Sequence, residues 1–231
     1  MKLSGGPKKV LAVIIALCMA MGLCACGSSG DSSSDSTSSY IDYVIGIMDA
    51  NYLGVYDKYM ELTGASEEDA QLIYEANIQE LAAQLGEALS MDMDYVSDDI
   101  IERLVAMAET LYGYASYEAV DVVRSEDTYT ITVEITPVNF WAMVLLPFEE
   151  AVDEFNTLAT EGEYDDYSNR AYEEAYAEMI LDAVEEAVED VIYGTAAQYD
   201  VVLDYNSDAN SYDLSDETIA LLDAKVLSMS R

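Results

Sequence analysis

The 231-residue chain sets 46 Asp and Glu against 9 Lys and Arg, a formal charge of −37, and it contains no histidine. That balance argues against a nucleic-acid partner and against direct adhesion to anionic lipid heads. It also removes the commonest metal ligand and the commonest general base near neutral pH. What it favours is cations and cationic partners, calcium among them; the plainer account of so many carboxylates is solubility in an anionic surrounding.

At the N-terminus, Lys2, Lys8 and Lys9 precede an apolar run from Val10 to Met21. The run is shorter than the roughly 20 residues of a membrane span. Its cationic flank and small-residue exit fit a cleaved secretory signal. It closes on Leu23-Cys24-Ala25-Cys26, with leucine three positions before a cut, a small residue just before it and cysteine just after. This resembles the lipoprotein signal peptide of bacteria. The resemblance implies a signal peptide over residues 1–25, a lipid on the Cys26 thiol, and a chain held to the cell membrane at its extracellular face. Two acyl chains suffice for durable anchoring, each buried methylene contributing about 0.8 kcal/mol. An ordinary signal peptide with a chance cysteine is the alternative. Cys18 and Cys24 would leave with the signal, so a lipidated Cys26 leaves no thiol for a disulfide or a nucleophile.

Gly27 to Ser39 is Gly, Ser, Asp and Thr only, which predicts, with Cys26, a flexible linker over 26–39 reaching on the order of 20 Å. Residues 40–231 form an acidic domain, opposed in charge only by Lys58, Arg103, Arg124, Arg170, Lys225 and Arg231. Short helices are predicted over Ile41–Ala50 and Leu53–Leu62, the second stopped at Gly64. Ser66, before Glu67, Glu68 and Asp69, caps a long helix whose apolar positions run Ala70, Ile73, Tyr74, Leu81, Leu85 and Leu89, with Asn77 a polar lapse. Ser97 repeats the device for a helix ending at Gly113.

Strands follow over Tyr117–Arg124 and Asp127–Thr136. The second alternates Tyr129, Ile131, Val133 and Ile135 against threonines and Glu134, and the pair reads as a hairpin. A buried helix is predicted from Phe140 through Ala159, with Pro147 kinking it or lying in its first turn. Glu161 to Tyr167 is an acidic loop. Ser168 caps what reads as the longest helix, Asn169–Tyr193, with Glu178, Asp182, Glu185 and Glu186 on its polar face. A strand over Ala197–Tyr205, a turn over Asn206–Ser211 and a helix over Asp216–Ser228 complete the chain. The predicted class is α+β, mostly helical, with two β-hairpins forming a small antiparallel sheet and helices on one face.

Tyr112-Gly113 and Tyr193-Gly194 lie at equivalent points of two helix-then-hairpin segments. One reading is a pseudo-repeat of halves 40–137 and 138–231; chance similarity of two such junctions is the other. Asp204, Asn206, Asp208 and Asn210 alternate like the start of a calcium loop, and Asp204, Asn206 and Asp208 are the candidate metal ligands. The glycine and final acid of that loop are replaced by Ala209 and Ser215, so a hairpin turn is preferred. The acids at 161, 163, 165 and 166 are a second candidate for a hard cation, or simply a solvated loop.

No Gly-x-Ser-x-Gly elbow, Gly-rich phosphate loop or His-based motif is present, and no cofactor motif appears. The reading is therefore a non-catalytic binding or scaffolding module. A solute- or cation-binding accessory protein of a transporter is the alternative, and a carboxylate-based hydrolase the third. The signal segment, the Ser-rich linker, the opening Ala50-Asn51-Tyr52 with Glu61-Leu62-Thr63 and the Tyr-Gly hairpins together resemble uncharacterised acidic lipoproteins of Gram-positive bacteria. That resemblance carries no site residue beyond Cys26.

Overall fold

A computed structural model describes residues 33–125, 128–206 and 211–231. Among them the fold is α+β, mostly helical with a small antiparallel sheet. The chain divides into two compact units, each built from separated segments: Met1–Asn77, Ser116–Thr136 and Thr195–Val226 in the first, and Ile78–Ala115, Pro137–Gly194 and Leu227–Arg231 in the second. These units do not coincide with the halves 40–137 and 138–231, since each draws on both.

In the first unit, α1 (Ser33–Met48) runs into a single π-helical turn, Asp49–Leu53. Gly54, at φ +62°, stops it. A short α2 (Asp57–Thr63) ends the same way at Gly64, φ +70°, whose amide closes on the Met60 carbonyl; only glycine adopts this left-handed backbone without a Cβ penalty. Helix α3 (Glu67–Ala88) begins here, with Ser66 Oγ accepting the Asp69 amide at 3.2 Å.

The sheet is four-stranded and antiparallel, in the order β1 (Ser116–Ser125), β2 (Thr128–Thr136), β4 (Ala197–Asn206), β5 (Ser211–Leu214). The two hairpins thus join through β2 and β4, with Ile131 opposite Val201 and Tyr129 opposite Leu203. Ile131, Val133 and Ile135 are fully buried while the threonines between them are half-exposed, as the two-residue period of a strand requires. Helix α1 packs on β1 and β2, and α7 (Asp216–Val226) on β2.

Asn77, the polar lapse, donates its Nδ2 to the Asn51 carbonyl at 3.0 Å. It satisfies backbone next to the π-helical turn, where the ordinary hydrogen-bond ladder is interrupted.

The second unit is helical. It holds the remainder of α3, α4 (Asp98–Gly113), α5 (Phe140–Glu161) and α6 (Asn169–Val188), with α6 packed along both α5 and α4. Ser97 and Ser168 cap as predicted, accepting the amides of Ile100 and Ala171, and Asn139, for which no cap was predicted, does the same for Ala142. Pro147 lies inside α5. A two-residue parallel pair joins β3 (Val138–Asn139) to β6 (Leu227–Ser228).

Several boundaries differ from expectation. Helix α6 stops at Val188 rather than Tyr193, and at 20 residues it is shorter than α3 and α5, with 22 each. The apolar stripe continues through Val191 and Ile192, but that segment is used differently. The Ile192 carbonyl accepts the Asn139 amide at 2.8 Å, and the Gly194 amide donates to Pro137 O at 2.8 Å. A Cβ on Gly194 would stand 3.0 Å from the Pro137 ring, a tight contact that the ring would have to yield to by a few tenths of an ångström. Gly113 therefore ends a helix and Gly194 does not. The last helix likewise stops at Val226, where Leu227 and Ser228 become β6. At the other end, α1 begins at Ser33, so 33–39 of the predicted linker is helical; Cys26 and residues 27–32 lie outside the described residues.

Candidate functional site

In the second unit an open groove of about 710 Å³ runs between α5 and α6. Helical spacing builds its walls. Glu150 and Glu154 stand four residues apart on α5, and Glu178, Asp182 and Glu186 stand four apart on α6. Residues at that interval share one helix face, so each wall repeats a carboxylate about every 6 Å. Small and apolar residues, Ala151, Ala175, Met179 and Ala183, complete the lining beside Pro147.

Aromatic rings close one end. Tyr164 lines the groove and stacks on buried Phe155, with centroids 4.6 Å apart at 19°. Tyr172 and Tyr176 meet Phe155 edge-on at 5.1 and 5.2 Å, and Tyr167 packs on Tyr164. Burial, and then the Glu163 carboxylate, push the Tyr164 phenol above its ordinary pKa. Burial followed by Glu173 does the same to Tyr176, whose hydroxyl donates to the Leu89 carbonyl at 3.1 Å.

One cation meets the α6 wall from behind. Arg103 of α4 grips Glu185 through two nitrogens, at 2.7 and 2.8 Å, and Asp182 at 2.7 Å. The Glu185 hydrogen bonds, then those to Asp182, hold its guanidinium charged above the usual range, outweighing the opposing effect of burial. Asp182 is thus partly neutralised. Among the described residues no ion pair engages Glu150, Glu154, Glu178 or Glu186. Ser97 ties the start of α4 to α6, since its amide donates to Glu174 at 2.8 Å and its hydroxyl donates to the same carboxylate.

The candidate metal ligands are placed differently. Asp204 and Asn206 lie in β4, opposite Asp213 and Ser211. Backbone there is extended and paired, which is the hairpin geometry and not a loop wrapped round an ion; Asp208 lies outside the described residues. The Tyr205 and Tyr212 rings meet at 5.3 Å across that hairpin. Among the described residues no three acids come together at metal-holding distances, those around Gly162 included.

Elsewhere in the first unit, tyrosines satisfy carboxylates. Tyr117 donates to Asp49 at 2.8 Å and Tyr52 to Asp223 at 2.7 Å. Tyr40, stacked on Tyr129 at 3.9 Å, is pushed up to about 12 by burial and then by Tyr129. Among the described residues the polar side chains buried to core level are Asn51 and Thr63, and no Asp or Glu is among them.

The architecture so defined is an α+β domain with an acid-walled, aromatic-ended groove. In fold it is similar to ycdA of Bacillus subtilis, a Gram-positive bacterium, a protein provisionally described as a lipoprotein, at a TM-score of 0.59 and 17% identity. The match covers 85% of this chain, which spans 58% of that one. No protein-family model and no curated protein matches the chain.

Proposed function

We propose that this chain is a lipid-anchored, non-catalytic binding module at the extracellular face of the cell membrane, and that the α5–α6 groove takes organic cations bearing two or more charges. The carrying observation is the groove itself, with carboxylates at four-residue intervals on both walls and a tyrosine at its end. Carboxylates spread about 6 Å apart suit an extended polyamine better than a calcium ion, which gathers six to eight oxygens around one point. Stacked tyrosine faces add cation–π attraction. The resemblance of Leu23-Cys24-Ala25-Cys26 to a lipoprotein signal, and the likeness in fold to ycdA, support the anchored setting. The absence of any core-buried acid among the described residues weighs against carboxylate hydrolysis, which needs a carboxyl kept protonated by its environment. Delivery of such a cation to a transporter is the second reading, favoured by the same groove.

Calorimetric titration with spermine tests the groove. The expected result is binding that weakens by roughly tenfold or more when Glu150, Glu154 and Glu178 are changed together to Gln, a loss of at least two ion pairs. Equal affinity in the variant would overturn the assignment. Mass spectrometry of the exported protein tests the anchor, and the expected mature N-terminus is an acylated Cys26.

A further inference from the structure

Strand β1 ends the sheet. Among the described residues it pairs with β2 and with no other strand, over a register from Ser116 opposite Thr136 to Ser125 opposite Thr128. It is ten residues long and exposed along most of that length, with Val120 42% and Val123 55% exposed. An edge of this length presents unpaired amides and carbonyls to any extended chain. Two features show how the edge is kept from indiscriminate pairing. A bulge at Val120 shifts the register between Ala119 and Asp121, which twists an edge locally. Just beyond it the Asp121 carboxylate accepts the Val122 amide at 2.8 Å, so that amide points away from β2 and is masked by the neighbouring side chain.

The charge around this edge is strongly one-sided. Glu118 and Asp121 project from β1 on the outer face, beside Glu134 on β2 and Asp200 on β4, which share that face by register. Gln198 and Thr132 donate to Glu134 and Asp200, and neither donor brings a positive charge to that face. Arg124 is turned the other way, its guanidinium 5.5 Å from the Tyr129 ring centroid. A second copy of this chain would bring the same acids against themselves, with −37 on each partner. A strand carrying Lys or Arg at alternate positions would instead lay its cations on the outer face, beside Glu118 and Asp121, and turn its intervening β-branched residues to the face of Val122.

We propose that β1 is a docking edge that accepts an extended basic segment of a partner protein as a fifth strand, the partner's carbonyl replacing the Asp121 carboxylate on the Val122 amide. This surface belongs to the first unit and is separate from the α5–α6 groove.

The test uses the full chain and a capped synthetic peptide alternating Lys and Val, titrated at physiological salt. Two controls leave every charge in place. One is the same peptide N-methylated at alternate residues, which cannot form the ladder. The other is Val122→Pro, which removes the outward amide and none directed at β2. The proposal predicts binding of the plain peptide, and weakening by roughly tenfold or more for the methylated peptide, about the worth of one or two ladder bonds. A Val122→Pro chain that keeps its circular dichroism should lose binding to the same degree, and the triple groove variant should not. No binding of the plain peptide, or equal binding of the methylated one, would overturn it whether or not Val122→Pro folds.

Discussion

Removing Leu227–Arg231 should loosen the second unit, and the structure sets the size of the effect. Leu227 is 4% exposed and pairs with Val138 through β6 and β3; burying a leucine side chain contributes about 1.5–3 kcal/mol. The Trp141 indole N–H donates to the Met229 carbonyl at 2.9 Å, worth about 1 kcal/mol net. The Arg231 guanidinium lies 3.9 Å from the Trp141 ring centroid and 5.2 Å from that of Phe148, an exposed cation–π contact of about 0.5–1 kcal/mol. Together these come to roughly 3–5 kcal/mol, a large share of what holds an ordinary domain. Trp141 is the sole tryptophan, so its emission reports on the surroundings this segment helps to bury. The truncated chain should show a red-shifted emission maximum and a lower urea midpoint by fluorescence. Arg231→Ala should reproduce only the smaller part of the loss. A truncated chain with unchanged emission and midpoint would refute the reasoning.

Three other outcomes follow from the same contacts. Asn77→Ala removes the donor to the Asn51 carbonyl and should cost about 1–3 kcal/mol by thermal denaturation, whereas substitutions at exposed Gln71 should cost little. Tyr40 and Tyr117 both titrate higher in the fold than the ordinary tyrosine value of 10.0. The folded state therefore holds these protons more tightly; the stability from Tyr40 is complete below pH 10 and lost as pH rises through about 12, and Tyr117, raised by burial and then by its hydrogen bond to Asp49, acts in the same direction. Phenolate absorbance should show these tyrosines ionising only as the sheet unfolds, and the Tyr40→Phe, Tyr117→Phe double variant should flatten that alkaline dependence. Finally, uncompensated carboxylates repel within each unit, so moderate NaCl should raise the melting temperature by several degrees; a midpoint indifferent to salt would show the charges to be too dispersed to matter.

What the sequence made legible was local. Ser66, Ser97 and Ser168 announced their helices because a cap acts on amides two or three residues away. The alternation from Tyr129 to Ile135 announced β2 because a half-buried strand writes its two faces into neighbouring residues. The α6 boundary was illegible for the opposite reason. Val191 and Ile192 continue the helical stripe, and only the distant Pro137–Asn139 segment shows that their backbone is committed elsewhere. The β6 pairing of Leu227 was hidden in the same way. The sequence marks Glu178, Asp182 and Glu186 as one polar face of α6; that they face Glu150 and Glu154 depends on which helices pack, and no spacing within α6 encodes it. Arg103 could have hinted at α6, as one of few cations, but not at Glu185 in particular. The alternating Asp204 and Asn206 suggested an ion loop because a hairpin strand and a calcium loop both place polar residues two apart.

The most direct test of the groove is amide hydrogen exchange of the intact chain with and without spermine. The account predicts slowed exchange confined to the facing stretches of α5 and α6, around Glu150–Glu154 and Ala175–Glu186, with the Tyr164 segment. Protection that is absent, or spread evenly over all acidic surfaces, would contradict it.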